Sequence, residues 1–105
     1  MSSSDRRLKQ EITAIQYGLD EILQLKPVQY TWKANPEKED LGLIAQDVEM
    51  VIPQVVGTPH DSDDHYSINY TELIPVMIKA IQELSDEIDA LKAENLKLQA
   101  SLAAK

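Results

Sequence analysis

The sequence predicts an α+β fold in which a small core of few short strands and helices precedes a long C-terminal helix. Short apolar segments separated by turn residues fill the first two thirds of the chain, and a heptad pattern fills the last third. We therefore expect a compact core over residues 1–70 and, over residues 71–105, a helix that forms an oligomeric coiled coil.

The helices of the core are predicted from apolar spacing. Residues 5–17 are expected to form one helix, because Leu8, Ile12 and Ile15 recur at helical spacing. Residues 19–25 are expected to form a second, which Pro27 ends. A third short helix is predicted over residues 46–51.

Strands and loops are predicted from alternation and from turn residues. The segments 28–33, 42–45 and 66–70 are rich in β-formers, whereas 34–40 and 57–65 have the composition of polar loops. Asn69 and Glu72 have the spacing of a capping box. Pro75 predicts a kink or a restart of the final helix near Ile74.

The final helix carries an apolar stripe at alternating spacings of three and four residues. With Ile74 at heptad position a, the a and d positions are Ile74, Met77, Ile81, Leu84, Ile88, Leu91, Asn95, Leu98 and Leu102. Glu87 at position g and Lys92 at the following e have the spacing of an inter-chain ion pair in a parallel coiled coil.

This stripe predicts self-association. A core of this size cannot cover so long a stripe, so we do not expect one helix packed only on its own domain. Ile at a, Leu at d and a buried Asn favour two strands, but four heptads with one Asn do not settle the number of chains.

Composition excludes several classes of function. The net charge of −8 argues against a nucleic-acid or anionic-membrane partner, since both bind basic surfaces. The absence of cysteine excludes disulfides and thiolate metal sites. The segment 60–65 contains two histidines and three aspartates, but this composition is that of an ordinary solvated turn, so we expect no metal and no other cofactor.

The candidate catalytic pair lies close to the N-terminus. A serine becomes a good nucleophile when a base takes its proton, and a lysine is such a base when burial or neighbouring cations lower its pKa. Ser4 and Lys9 are such a pair, and Arg6 and Arg7 are either the neighbouring cations or solvated charges. Five residues of ideal helix turn through about 500°, so Ser4 must precede the helix with Lys9 reaching back, unless Lys9 serves a neighbouring chain.

Five motifs occur along the chain in an order that is typical of one family. They are Ser4-Asp5-x-x-x-Lys9, Leu25-x-Pro27-Val28-x-Tyr30-x-Trp32, Gly42-Leu43-Ile44-Ala45-Gln46-Asp47-Val48-Glu49 with Pro53 and Val55-Val56, Tyr70 with Leu73-Ile74-Pro75, and Lys79-Ala80-Ile81-Gln82-Glu83-Leu84. Together they resemble the C-terminal intramolecular chaperone domain of phage tail spikes and endosialidases, the S74 peptidase family. Each motif alone is weak, and the match covers nearly the whole chain.

The resemblance implies a homotrimer that helps an upstream fibrous client in the same precursor chain to assemble, and then releases itself. It implies that Ser4 is the nucleophile, Lys9 the base and Ser3–Ser4 the scissile bond. Asp5 would support the pair. Gln46, Asp47 and Glu49 either line the site or simply cap a helix. The expected location is a virion-associated precursor, assembled in the cytoplasm of a bacterial host.

Two alternatives stay open. One is a structural trimerisation module that does not cleave itself. The other is a dimeric coiled-coil adaptor, which would contain two chains per particle.

Overall fold

The computed structural model describes residues 1–105 and has the α+β architecture that the sequence predicts. Three 3-10 turns, two short α-helices and two small sheets come first, and one long helix ends the chain. The molecule is elongated, with extents of 70 × 43 × 25 Å, because this helix projects beyond the core.

The predicted helix over residues 5–17 is wrong. Only Arg6–Leu8 form a 3-10 turn, Lys9 is extended, and Glu11 has a φ of 52°, outside helical geometry. Leu8 and Ile12, two of the three apolar residues that indicated the helix, are 74% and 60% exposed, and only Ile15 packs against the core. An isolated helix of this length is marginal in water, and most of its apolar face would be uncovered here.

The second predicted helix is confirmed in its first half. Helix α1 spans Leu19–Ile22, and two turn residues follow it. Its N-terminus has no capping side chain of its own, since Gly18 is the N-cap. Glu21 accepts from the Gly18 amide at 2.7 Å, and Glu83 of the last helix accepts from the Leu19 amide at 2.9 Å.

An antiparallel hairpin follows. Strand β1, Val28–Trp32, is confirmed, but the predicted loop over 34–40 is wrong, because strand β2 spans Asn35–Gly42. The pairing is regular from Val28↔Gly42 to Thr31↔Glu39, and the extra residues of β2 around Pro36 form an irregularity, where a proline is tolerated. The predicted strand over 42–45 is also wrong, since Gly42 ends β2.

Helix α2, Ala45–Glu49, confirms the helix predicted over 46–51 with its start moved by one residue. A 3-10 turn, Pro53–Val55, follows. These two elements and the start of the final helix bury the main core, which consists of Val48, Ile52, Val55, Leu73 and Val76. Few residues are fully buried, so the hydrophobic stabilisation available to a single chain is small.

A second sheet pairs β3, Val56–Gly57, with β4, Ser67–Ile68. The predicted loop between them is confirmed, whereas the predicted strand over 66–70 is only two residues long. The capping box predicted at Asn69 is wrong, since Asn69 precedes the 3-10 turn Tyr70–Glu72 without a side-chain cap.

Helix α3 spans Leu73–Ala103, which is 31 residues. The change from 3-10 to α geometry at Leu73 matches the restart predicted near Ile74. Pro75 is accommodated because it is the third helical residue, and the first four amides of a helix have no intrahelical partner. No helix, α3 included, combines the length and the apolar character needed to cross a membrane.

Two faces of α3 carry apolar residues. Leu73, Val76 and Ala80 are buried against the core. The other face is the heptad stripe, whose apolar members are all exposed in the single chain: Ile74, Met77, Ile81, Leu84, Ile88, Leu91, Leu98 and Leu102. The fourth a position, Asn95, is exposed as well.

Candidate functional site

Ser4 and Lys9 lie in contact within one chain. The Lys9 ammonium Nζ donates a hydrogen bond to Ser4 Oγ over 2.8 Å. With the lysine neutral and the proton on the oxygen, the same contact is that of a base and its nucleophile.

The 3-10 turn Arg6–Leu8 produces this contact. Ser4 precedes the turn, and the Lys9 amide at its end donates to the Arg6 carbonyl at 3.1 Å. The chain therefore reverses between the two residues, and the long lysine side chain reaches back to the serine. A continuous helix would have placed them on different faces.

Hydrogen bonds between Asp5 and Arg7 stabilise the turn. Asp5 Oδ1 accepts from the Arg7 amide at 2.8 Å as an N-cap, and the Arg7 guanidinium binds the same carboxylate, with Nη2–Oδ2 at 2.8 Å. The hydrogen bonds from Arg7 lower the pKa of Asp5, and the carboxylate in turn raises the pKa of Arg7. The Arg7 side chain therefore binds Asp5, whereas the Arg6 side chain has no hydrogen-bond or ion-pair partner.

The whole segment is exposed. Every residue from 1 to 14 is solvent-accessible, and Ile15 and Tyr17 are the first side chains to pack against the core. The Ser3–Ser4 peptide bond lies in irregular, exposed backbone, so another chain has access to it.

Gln46 and Glu49 are not brought to this pair. Both lie on α2, and neither hydrogen-bonds to Ser4 or Lys9. Gln46 is exposed and lines an open groove together with the aromatic residues Tyr30, Trp32, Tyr66 and Tyr70. Glu49 is half-buried.

The longest motif starts with Gly42, and a contact that residue spacing did not predict explains why this residue is a glycine. Tyr70 accepts a hydrogen bond from the Leu43 amide at 3.0 Å, and its hydroxyl oxygen lies 2.8 Å from where a Cβ on Gly42 would stand. A side chain at position 42 would displace this tyrosine. Tyr70, although distant in sequence, therefore contacts the start of the motif directly.

The acidic segment 60–65 forms a closed loop. Asp64 accepts from the backbone amides of His65 at 2.9 Å and His60 at 3.3 Å, and these bonds lower its pKa. No three His, Asp or Glu side chains converge to hold a metal ion. The Asp64 carboxylate instead binds the backbone of its own loop.

Comparisons with known proteins agree with the motifs. The Peptidase S74 family model, described as a chaperone of endosialidase, matches residues 4–57, just over half of the chain. The match includes Ser4, Lys9, Gln46 and Glu49.

Three curated relatives extend the similarity into α3. The long tail fiber proteins Gp37 of Enterobacteria phages M1 and Ox2 are each 34% identical to this chain, over 85% of its length. Gp37 of a Salmonella phage is 31% identical over 88% of the chain.

The chain spans 38% of the length of the Enterobacteria phage relatives and 13% of the Salmonella phage protein. The match to the family model, taken with the order of the motifs, shows that the chain belongs to the Peptidase S74 family, the chaperone of endosialidase.

Proposed function

We propose that this chain is an assembly chaperone for a fibrous phage tail protein to which it is joined, and that it releases itself by cutting the bond before Ser4. The observation that carries the proposal is the 2.8 Å hydrogen bond between Lys9 Nζ and Ser4 Oγ, at the start of the family match. Residues 1–70 would form the chaperone and protease core, and residues 71–105 the oligomerisation helix.

The relatives support the identity of the client. They are long tail fiber proteins, and this chain matches only a part of each. We infer that a fibrous segment of the same precursor is the client, and that the precursor is virion-associated and assembled in the bacterial cytoplasm.

The exposed stripe of α3 supports assembly into an oligomer. Its apolar side chains face solvent in the single chain, and a coiled coil would remove them from water. We infer a homotrimer. Although Ile at a and Leu at d favour two strands, the family resemblance implies three, and the globular part would add contacts that the heptad rule does not consider.

The chemistry follows from the position of Ser4 directly after the scissile bond. Neutral Lys9 removes the Oγ proton, and Oγ attacks the Ser3 carbonyl carbon. The C–N bond breaks and Lys9 returns the proton to the departing Ser4 nitrogen, which leaves an ester between Ser3 and Ser4 Oγ. Water, activated by the same lysine, hydrolyses this ester to a Ser3 carboxylate and a free Ser4 hydroxyl.

Assembly would control this reaction. A lysine becomes a base when burial lowers its pKa, and in the single chain the segment that carries Lys9 is exposed on all sides. The covering surface must therefore come from a neighbouring chain or from the client, so cleavage would follow assembly.

The test is the mass of the full precursor, with its natural upstream segment, after expression. We expect cleavage before Ser4 in the parent and no cleavage in Ser4→Ala or Lys9→Ala. Ser2→Ala is the matched control, since it removes a neighbouring hydroxyl outside the pair, and it should be cut like the parent. A parent that stays intact, or a Lys9→Ala variant that is still cut before Ser4, would contradict the protease proposal.

The second candidate is an oligomerisation module that does not cleave itself. The exposure of the Ser4–Lys9 pair favours this candidate, because nothing in the single chain desolvates the lysine. An intact precursor that nevertheless forms trimers would establish it.

A further inference from the structure

We propose that the Asp5–Arg7 ion pair is the positioning element of the Ser4–Lys9 pair, because it fixes the turn that holds the two side chains together. This inference rests on the proposed self-cleavage. Asp5 and Arg7 touch neither the scissile bond nor Lys9 Nζ, so they are positioning residues.

The turn has only local support. The residues that flank it on both sides are exposed, so no core contact orders this segment. Its backbone bonds are Leu8 amide to Asp5 carbonyl at 3.0 Å and Lys9 amide to Arg6 carbonyl at 3.1 Å. Two such bonds do not order an isolated peptide in water, since the entropy of the chain opposes them.

Asp5 accepts four hydrogen bonds from Arg7. Its carboxylate accepts from the Arg7 amide, from Arg7 Nη2 at 2.8 Å, and from Arg7 Nε at 3.2 Å to each oxygen. A forked arginine–carboxylate contact is directional, so it fixes geometry as well as charge. The N-cap and the fork together define the backbone between Ser4 and Lys9.

The ion pair affects the position of the reacting groups more than the stability of the domain. The Arg7 side chain is 88% exposed, and an exposed ion pair of this kind contributes little to the folding of a domain. Its effect is confined to the segment that carries the reacting groups. A shift of the order of 1 Å between reacting groups slows a reaction by up to about 100-fold.

The chain offers a matched control in Arg6. Arg6 and Arg7 are neighbours in the same turn, yet only Arg7 binds Asp5. Arg6→Ala and Arg7→Ala remove the same charge from nearly the same place. An effect of charge on Lys9 would appear in both variants, whereas an effect of position would appear only in Arg7→Ala.

The experiment measures the first-order self-cleavage rate of the full precursor across pH. We expect Arg7→Ala and Asp5→Ala to cut at least ~10-fold more slowly than the parent, and Arg6→Ala to stay within about two-fold. Asp5→Asn keeps the cap acceptor without the ion pair and should lie between them. The pH at which the rate rises, which reports the base, should be the same in Arg7→Ala as in the parent.

Each outcome has one meaning. Equal rates for Arg6→Ala and Arg7→Ala, or a shifted pH profile at an unchanged plateau, would overturn the positioning role and leave the self-cleavage proposal standing. A parent that is not cut would overturn both. Misfolding does not confuse the test, because the turn makes no contact with the core, and unchanged melting temperatures would verify this.

Discussion

At the scale of single residues, the contact between Gly18 and Glu83 connects the start of α1 with α3. A Cβ on Gly18 would collide with Glu83 Oε1, which is the atom that accepts the Leu19 amide. The glycine therefore leaves room for a carboxylate from α3 to cap α1. This is a tertiary cap, since donor and acceptor are 64 residues apart.

Gly18→Ala should lower the free energy of unfolding by about 1–2 kcal/mol, because the new methyl group displaces the capping carboxylate. Glu83→Ala should cost about 1 kcal/mol, since it leaves the Leu19 amide without its acceptor. Urea unfolding of the 105-residue chain at fixed protein concentration measures both values.

The double variant decides whether the two residues act together. Once Glu83→Ala has removed the obstacle, adding Gly18→Ala should cost much less than it does alone. Asp86→Ala, on the outer face of α3, is the control and should change stability by less than about 0.5 kcal/mol. Additive losses in the double variant would contradict the cap.

Residue spacing gave more information on the arrangement of Ser4 and Lys9 than on the reason for glycine at positions 18 and 42. The five-residue separation requires Ser4 to lie outside a helix, which is a statement about one local turn. Glu83 leaves no room for a side chain at Gly18, and Tyr70 leaves none at Gly42. Both of these neighbours are distant in sequence. Propensity contains no information on such contacts.

At the scale of elements, predictions succeeded where apolar spacing coincides with burial. Helix α2 and the start of α3 bury Val48, Leu73 and Val76, and both were predicted. The helix over 5–17 failed because two of its three apolar residues, Leu8 and Ile12, have no surface to pack against. Strand β2 was missed because its charged sequence shows no alternation.

Contacts across the hairpin explain why β2 forms despite its polarity. The Trp32 indole donates to Asp40 Oδ2 at 2.7 Å, and Lys38 lies 5.9 Å from the centre of the Trp32 ring. Cross-strand pairs of this kind stabilise a sheet independently of burial. They depend on register, which the sequence alone did not specify.

The loop between β3 and β4 should respond to acid through Asp64. The amides of His65 and His60 lower its pKa below the ordinary value of 3.8, and the charge of His65 adds to this effect. The unfolded chain therefore binds the proton more tightly than the folded chain does. The stabilisation from Asp64 is present above the ordinary value and is lost as the pH falls through the lowered pKa.

An NMR pH titration of the His60 and His65 amides tests this expectation. Both amide shifts should change with a common midpoint below 3.8, and the change should vanish in Asp64→Asn. Asp63→Asn is the control, because it removes the same charge from the same loop without removing an acceptor of either amide. A common midpoint at or above 3.8 would show that the carboxylate does not bind the amides.

At the scale of the whole molecule, α3 presents two apolar faces. One face completes the core of its own chain through Leu73, Val76 and Ala80. The heptad stripe lies on a neighbouring face and has no partner in the single chain. Because the core is small, we expect much of the stability of the folded chain to depend on what covers this stripe.

Ile81→Asp should dissociate the oligomer, because it would place an unpaired charge in the seam. Leu96→Asp is the matched control: Leu96 lies on the same helix and, like Ile81, is 67% exposed, but it falls outside the a and d positions. Sedimentation equilibrium should show trimers for the parent and Leu96→Asp, and monomers for Ile81→Asp. Equal behaviour of the two variants would contradict the heptad register.

The contact between Ser4 and Lys9 within one chain predicts how mixed oligomers behave. If each lysine serves its own serine, a Ser4→Ala chain and a Lys9→Ala chain cannot complement each other, since neither contains both groups. Co-expression of the two precursors, distinguished by mass, should therefore give no cleavage. Mixing the parent with Ser4→Ala is the positive control, and there only the parent chain should be cut.

The opposite arrangement has a distinct signature. A lysine that reached across to a neighbouring serine would restore cleavage in the mixture, and only on the Lys9→Ala chain, which keeps the nucleophile. That product would show that the 2.8 Å contact of the single chain is exchanged for one between chains on assembly. Its absence, with trimers present, would show that the neighbouring chains do not supply the base.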